Sequence, residues 1–236
     1  DQRPPYPATK GLWGRPTVVS NVQTLAAVPW IVTNGPETYA AIGSPDAPGT
    51  LLVGLTGAVA KPGVVEAPVG TPLGELVALA GGAAGTLKAL LVGGPTGGFL
   101  PAASLDTPLA YGPLAAAGAL VGSGSVLAVA EGTSIVELAT LLTRYLNDEA
   151  CGKTIPCRIG TRRLAELGDN LCTGRCRPTD LALIGSLAAD VRDGALCGLE
   201  AGAANPLTTG MRYFAGEFDA AVAPGSSQPS GQGTHA

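Results

Sequence analysis

Three textures of apolar and polar residues follow one another along the chain. In the first, over residues 1–48, prolines punctuate a short apolar run, Val18-Val19, and one helical pattern over residues 22–32, where Leu25, Val28, Ile31 and Val32 fall at helical spacing. Pro29 inside that pattern predicts a bend or an end, because proline offers no amide to a helix interior. This is too little apolar material for a domain of its own and reads as the end of one. From Thr50 to about Glu131 the pattern changes to short β-branched and small apolar runs between Gly/Pro turns. Examples are Leu51-Leu52-Val53-Gly54-Leu55, Gly63-Val64-Val65-Glu66-Ala67, Ala89-Leu90-Leu91-Val92-Gly93 and Gly124-Ser125-Val126-Leu127-Ala128-Val129.

Within that stretch, residues 71–80 predict one helix, with Thr71 as N-cap, Pro72 at the first helical position and Gly81-Gly82 as the stop. A twisted sheet folded over one helix satisfies the two-layer rule for a small domain. The glycines of Val92-Gly93-Gly94-Pro95-Thr96-Gly97-Gly98 read as a turn between strands, since no helix with a Lys/Ser pair follows them as a phosphate loop requires. After Gly132 the pattern is helical. Ser134 and Glu137 form a capping box, and Ile135, Leu138, Leu141, Leu142 and Tyr145 are expected on one buried face. Further helices are predicted over 162–167, 178–192 and 205–218, which makes a four-helix bundle. The tail over 224–236 is poor in apolar residues and is expected to be disordered.

Composition sharpens this picture. Only 14% of the 236 residues are charged, and 35 glycines and 20 prolines make turns frequent, so partners are expected to cover much of the surface. A net charge of −4 provides no polybasic face for nucleic acid or an anionic membrane. No run of 18 apolar residues is present to span a bilayer. The chain opens on Asp1-Gln2-Arg3-Pro4-Pro5 with nothing of a secretion signal and reads as part of a longer protein. The lone histidine, His235, lies in the tail, which rules out a mechanism needing a histidine base or a two-histidine metal site.

Five cysteines, an odd number in a chain large enough to fold without staples, favour metal ligation in a reducing compartment over a disulfide framework. The stretch that carries the chemistry is Glu149-Ala150-Cys151-Gly152-Lys153-Thr154-Ile155-Pro156-Cys157-Arg158-Ile159-Gly160-Thr161. Cys151 and Cys157 stand six apart in a Gly/Pro loop beside Lys153 and Arg158, whose charges favour thiolate, and Cys197 follows 40 residues after Cys157. An iron–sulfur loop has the spacing C-x2-C-x2-C, and Thr154 stands in its middle place.

Several ordered motifs carry a resemblance. They are Pro4-Pro5-Tyr6-Pro7, the stretch from Gly11-Leu12-Trp13-Gly14-Arg15-Pro16-Thr17 through Val18-Val19-Ser20-Asn21-Val22-Gln23-Thr24-Leu25, residues 57–82, Leu120-Val121-Gly122-Ser123-Gly124, the cysteine loop, Cys197-Gly198-Leu199, Asn205-Pro206 and Arg212-Tyr213-Phe214. Together they resemble the C-terminal half of the flavin- and NADH-binding subunit of respiratory complex I. That family extends to the diaphorase subunits of NAD-linked hydrogenases and formate dehydrogenases. The resemblance implies an α+β architecture: the end of a flavin-binding α/β domain over 1–48, an SLBB-like β-grasp domain over 49–131, a four-helix iron–sulfur domain over 132–222 and a disordered tail over 223–236.

It also implies a function. In this family NADH gives a hydride to FMN, and single electrons pass on to a [4Fe–4S] cluster held by a C-x2-C-x2-C loop and one distant cysteine. By position Cys151, Cys157 and Cys197 take the first, third and fourth ligand places, and Thr154 takes the second. A threonine hydroxyl, neutral and hard, is a poor ligand for cuboidal iron. Three outcomes stay open: Cys172 or Cys176 supplies the missing thiolate; an oxygen or exogenous ligand completes a three-cysteine cluster; or the cluster is lost or replaced by zinc. Ser20, Asn21 and Thr24 match flavin-contacting positions, with serine and glutamine (Gln23) where the family has asparagine and glutamate, and Gly198 and Leu199 match a cofactor-binding turn. The loop that covers the flavin phosphate and nicotinamide belongs to the family's N-terminal flavin domain, which is missing from this chain, so NAD(H) binding belongs to the complete subunit. The implied partners are a thioredoxin-like [2Fe–2S] subunit and other subunits of an electron-transfer complex, with a cytoplasmic location that is peripheral to a membrane through that complex. The rival reading is a structural docking subunit whose cysteine site is degenerate or holds zinc.

Overall fold

The structure, a computed structural model, describes residues 5–222, and its contacts divide the chain after Gly49. The expected tail, His235 and Pro4 lie outside the described residues. The first unit contains helices α1 (Pro7–Lys10), α2 (Val22–Asn34) and α3 (Pro36–Ala40), then a two-residue ladder of β1 (Gly43–Ser44) with β2 (Ala47–Pro48). Asn21 caps α2 by accepting the Gln23 amide at 3.3 Å. The helix runs through Pro29 to Asn34 instead of ending there, because losing one donor costs less than the turns on either side supply. Gly35 at φ 88° stops it. No residue between 5 and 48 is buried, and Trp13, Val18 and Val22 are at least 80% exposed, so this unit encloses no core.

The second unit begins at Thr50 and is built on a five-stranded sheet. Its strands are β3 (Thr50–Gly57), β4 (Gly63–Pro68), β5 (Leu87–Val92), β6 (Gly98–Pro101) and β7 (Ser125–Ala130), in the order β4-β3-β7-β5-β6. All neighbours are antiparallel except β3 and β7, the first and last, which run parallel at the centre. That is the β-grasp arrangement. The short helix α4 (Leu73–Leu79) buries Leu73, Leu76 and Val77 at helical spacing against Val53, Leu55, Val126 and Ala128 on one sheet face. Thr71 does not cap this helix: its hydroxyl donates back to the Pro68 carbonyl at 2.7 Å, and the helix starts two residues later. The 93–98 stretch is the expected turn, with Gly93 and Gly94 at positive φ. A further helix, α5 (Tyr111–Ala117), completes this face through Leu114.

Strand alternation sends Ala89, Leu91, Phe99 and Val129 to the opposite face, where they meet the helical region. That region is α6 (Ile135–Asp148), α7 (Thr161–Cys172), α8 (Asp180–Asp193), α9 (Gly198–Gly202), α10 (Asn205–Tyr213) and α11 (Ala215–Val222). Six helices therefore stand where four were expected, and they share their core with the sheet, so residues 50–222 form one body. The expected face of α6 is also rotated. Its buried side is Ile135, Val136, Ala139, Thr140, Thr143 and Leu146, while Leu141 and Tyr145 are about half exposed. The small residues win because α7 crosses closely: a Cβ added to Gly168 would lie 2.9 Å from the Thr140 hydroxyl oxygen. Sheet and helices are further pinned by Phe99 N to Thr209 Oγ1 (2.9 Å), Asn205 Nδ2 to the Thr96 carbonyl (2.8 Å) and Tyr213 OH to the Ala117 carbonyl (2.9 Å). A bulge beside Lys88 lets its ammonium reach Glu217 at 2.7 Å, whose other oxygen accepts the Ile135 amide.

Phe99 is fully buried at the junction of sheet and helices. Phe99→Ala is expected to cost about 3 to 5 kcal/mol in chemical denaturation. Circular dichroism and Trp-independent probes of the sheet should report the same transition, and two separated transitions would contradict the shared core.

Candidate metal centre

The cysteine loop lies between α6 and α7. Ser134 starts α6 as expected, accepting the Glu137 amide at 3.2 Å, and the helix carries the chain to Glu149. After the loop, residues Pro156–Gly160 form a single wide π-helical turn that runs straight into α7. Such turns recur at functional sites. Gly160 permits the close passage of α8, since a Cβ there would meet Val191 Cγ2 at 2.4 Å. Cys157 sits in this turn, 1% exposed, and Cys151 lies exposed at the loop's start. Gly152, at φ 67°, bends the loop, and Arg158 braces it by donating to the Gly152 carbonyl at 2.9 Å.

Thr154 occupies the middle of the loop and has two partners. Its hydroxyl oxygen accepts the Cys157 amide at 2.9 Å, and its hydroxyl donates to Oε1 of Glu200. Glu200 belongs to the other cysteine segment. Its Oε2 accepts the Leu196 amide at 2.9 Å, next to Cys197, which caps α9. One carboxylate thus ties the loop of Cys151 and Cys157 to the turn of Cys197. Pro156 packs on the residues just before that turn, leaving no room for a Cβ at Gly194, which would lie 2.8 Å from its ring. Burial pushes the Cys157 thiol up, and the neighbouring Cys151 and Glu200 push it the same way, while a backbone hydrogen bond with Gly152 opposes them. Three cysteines and a carboxylate therefore lie on two segments that Glu200 joins, and thiolate and carboxylate are donors of the chemical kind that binds iron.

Glu200 is the member of this site that sequence patterns do not reveal. The available signal is its isolation: it is the only charged residue between Asp193 and Arg212, in a run rich in Gly, Ala and Leu.

Cys172 and Cys176 are elsewhere. Cys172 ends α7 and Cys157 precedes it, so the π turn and the helix separate them by roughly 20 Å. Cys172 donates to the Thr140 hydroxyl at 3.3 Å and lines a cavity of about 370 Å³ with Lys88, Ser134 and Glu217. Cys176 donates to Asp180 at the start of α8, at 3.6 Å. The length of α7 thus keeps Cys172 apart from Cys157, and the structure does not bring Cys172 or Cys176 to the cysteine loop. Among the described residues no group of three or more His, Cys, Asp or Glu side chains is placed to hold a metal ion. Burial pushes the Cys172 thiol up, and burial with Asp180 pushes that of Cys176 up to about 11.

The expected cofactor-binding residues fall in both units. Ser20, Asn21 and Thr24 are exposed at the start of α2 in the first. Gly198 and Leu199 form the first turn of α9 in the second, directly after Cys197.

The chain thus combines a β-grasp sheet, a helical body and a cysteine loop before a π turn, and known proteins share this combination. Residues 137–221 match the family described as the NADH-ubiquinone oxidoreductase-F iron-sulfur binding region, and residues 52–100 match the SLBB domain. The chain is 38% identical over 223 residues to the NADP-reducing hydrogenase subunit HndC of Solidesulfovibrio fructosivorans, covering 93% of this chain and 46% of that protein. It is 37% identical over 225 residues to the F subunit of the NADH-quinone oxidoreductase of Mycobacterium bovis, covering 94% of this chain and 51% of that one. A crystal structure of NAD+-reducing [NiFe]-hydrogenase in the H2-reduced state superposes with a TM-score of 0.82 at 36% identity, over 95% of this chain and 38% of that one. The chain is thus a relative, along nearly its whole length, of the F-type subunits of NADH-quinone oxidoreductases and of NAD-linked hydrogenase subunits. It spans about half the length of the curated relatives it matches.

In the metal-free chain at pH 8, iodoacetamide should alkylate Cys151 and Cys197 before Cys157, Cys172 and Cys176, read by peptide mass spectrometry. With its thiol pushed up to about 11, only about one Cys176 in a thousand is ionised at that pH, and its labelling should rise as the pH approaches 11. Cys176 reacting as fast as Cys197 at pH 8 would contradict the burial described.

Proposed function

We propose that this chain is part of an NADH-linked oxidoreductase subunit and that residues 50–222 hold an iron–sulfur cluster through Cys151, Cys157 and Cys197. The observation that carries this reading is the Glu200 bridge, which brings together two cysteine segments 40 residues apart in sequence. When bound, a [4Fe–4S] cluster supplies reversible one-electron transfer at a potential set by its surroundings. The chain's own contribution is to position and to insulate. Cys157 anchors the site from the buried side, and Cys151 and Cys197 close it from the exposed side, where a partner can approach. Arg158 fixes the loop through Gly152, and the positive charge of its guanidinium favours the reduced, more negative state of a nearby centre.

FMN and NAD(H) are the cofactors of the complete subunit, with Ser20, Asn21 and Thr24 on the flavin side and Gly198 and Leu199 next to Cys197. The exposed apolar side chains of the first unit, Trp13, Val18 and Val22 among them, suit burial against a flavin domain. A thioredoxin-like [2Fe–2S] subunit is the fitting electron partner within a multi-subunit complex. No helix among the described residues is long and apolar enough to cross a membrane, which fits a subunit attached to a membrane through its complex. The rival, a docking subunit without electron transfer, predicts an inert cysteine site.

Anaerobic reconstitution with iron and sulfide separates the two readings. The cluster reading expects about four irons and four acid-labile sulfides per chain and a low-temperature spin signal on reduction. Neither metal nor signal in a folded protein would leave only the docking role.

A further inference from the structure

The Thr154 hydroxyl is a neutral, hard donor already engaged with the Cys157 amide and with Glu200, and Cys172 and Cys176 lie at the far end of α7. We propose that the Glu200 carboxylate is the fourth ligand, an oxygen donor that takes up the iron left without a thiolate by Thr154. The inference rests on the cluster reading given above and adds to it the identity of the ligand.

Glu200 is 2% exposed, yet among the described residues no lysine or arginine pairs with it. The other buried carboxylate, Asp180, is treated differently by the fold: Arg177 grips it with two guanidinium nitrogens and its backbone amide. A buried anion without a cation is costly unless something positive is bound beside it. The one iron left without a thiolate is the electron-poor atom that would take such a carboxylate. Glu200 lies where it is needed: the Thr154 hydroxyl joins it to the Cys157 amide, and it stands three residues beyond Cys197.

The carboxylate also retains the capacity to bind. Each of its oxygens accepts one hydrogen bond, from Thr154 on Oε1 and from Leu196 on Oε2, and a carboxylate offers about four lone-pair sites. Metal-bound carboxylates are commonly held by such hydrogen bonds, which fix the direction of the remaining lone pairs. Thr154 is thereby a positioning residue, aiming Glu200 and not touching iron. Binding forms one iron–oxygen bond and breaks none within the protein, and the threonine proton stays in its hydrogen bond. Oxygen is a harder donor than thiolate, so the iron it holds differs from the other three and is the first to be lost.

Mössbauer spectroscopy of the unsubstituted, reconstituted full chain tests this without any variant. Three sulfur-ligated irons and one distinct oxygen-ligated iron are expected, and four equivalent sulfur-ligated irons would overturn the proposal. Glu200→Gln, checked for folding by circular dichroism, should fall from about four to about three irons per four sulfides and show a spin signal in the oxidised state. Adding Thr154→Cys to that variant should restore the fourth iron. Glu200→Gln with iron content and spectra unchanged would remove Glu200 from the ligand set and leave the cluster reading intact. An unsubstituted chain that binds no iron would overturn both.

Discussion

A carboxylate taken out of water must find hydrogen bonds, and the two that Glu200 finds link the two cysteine segments of this protein. One of its oxygens reaches the loop of Thr154 and the other the amide beside Cys197. Without that bridge the cysteine segments would be two surface loops on different helices. With it, the segment of Cys151 and Cys157 is tied to the segment of Cys197.

The rest of residues 50–222 keeps that spot rigid. Because the β-grasp sheet presents apolar side chains on both faces, the helices that carry the cysteines pack on it directly. The turn between β5 and β6 supports the segment after Cys197: Thr96 accepts the Asn205 side chain, and Gly202 must be glycine-sized because a Cβ there would lie 2.7 Å from Thr96. On the other side α7 and α8 run back from the site and are locked by small residues, Gly160 against Val191 and Gly168 against Thr140. The threonine hydroxyls used at these crossings are satisfied locally, as where Thr143 donates to the Ala139 carbonyl at 2.8 Å.

Much of this is legible in the sequence, for physical reasons that differ from place to place. The four strands with clear runs of β-branched and leucine residues form where expected, and so does the helix starting at Ser134, whose cap is a local side-chain-to-backbone bond. The strand Gly98–Pro101 and the helix Tyr111–Ala117 escape a reading by periodicity, because they are short and draw heavily on glycine, alanine and proline. The face of α6 differs from the one its leucines predict, since the close approach of α7 rewards Ala139 and Thr140 over larger side chains. At the site, spacing singles out Cys151, Cys157 and Cys197 as candidates, but it does not show that a dozen residues of helix carry Cys172 roughly 20 Å from Cys157. Glu200 escapes because an acidic side chain is ordinarily solvated, and only the fold shows this one to be buried.

As the proposed fourth ligand, the same carboxylate would complete the donor set of a chain that has threonine at position 154. The central claim is that three thiolates and the Glu200 bridge enclose one polynuclear iron centre. Iron-edge X-ray absorption on the reconstituted chain addresses it most directly. The account predicts a first shell dominated by sulfur with a minor oxygen contribution, and a short iron–iron distance behind it. Isolated iron in an all-oxygen or nitrogen shell, with no iron neighbour, would contradict it.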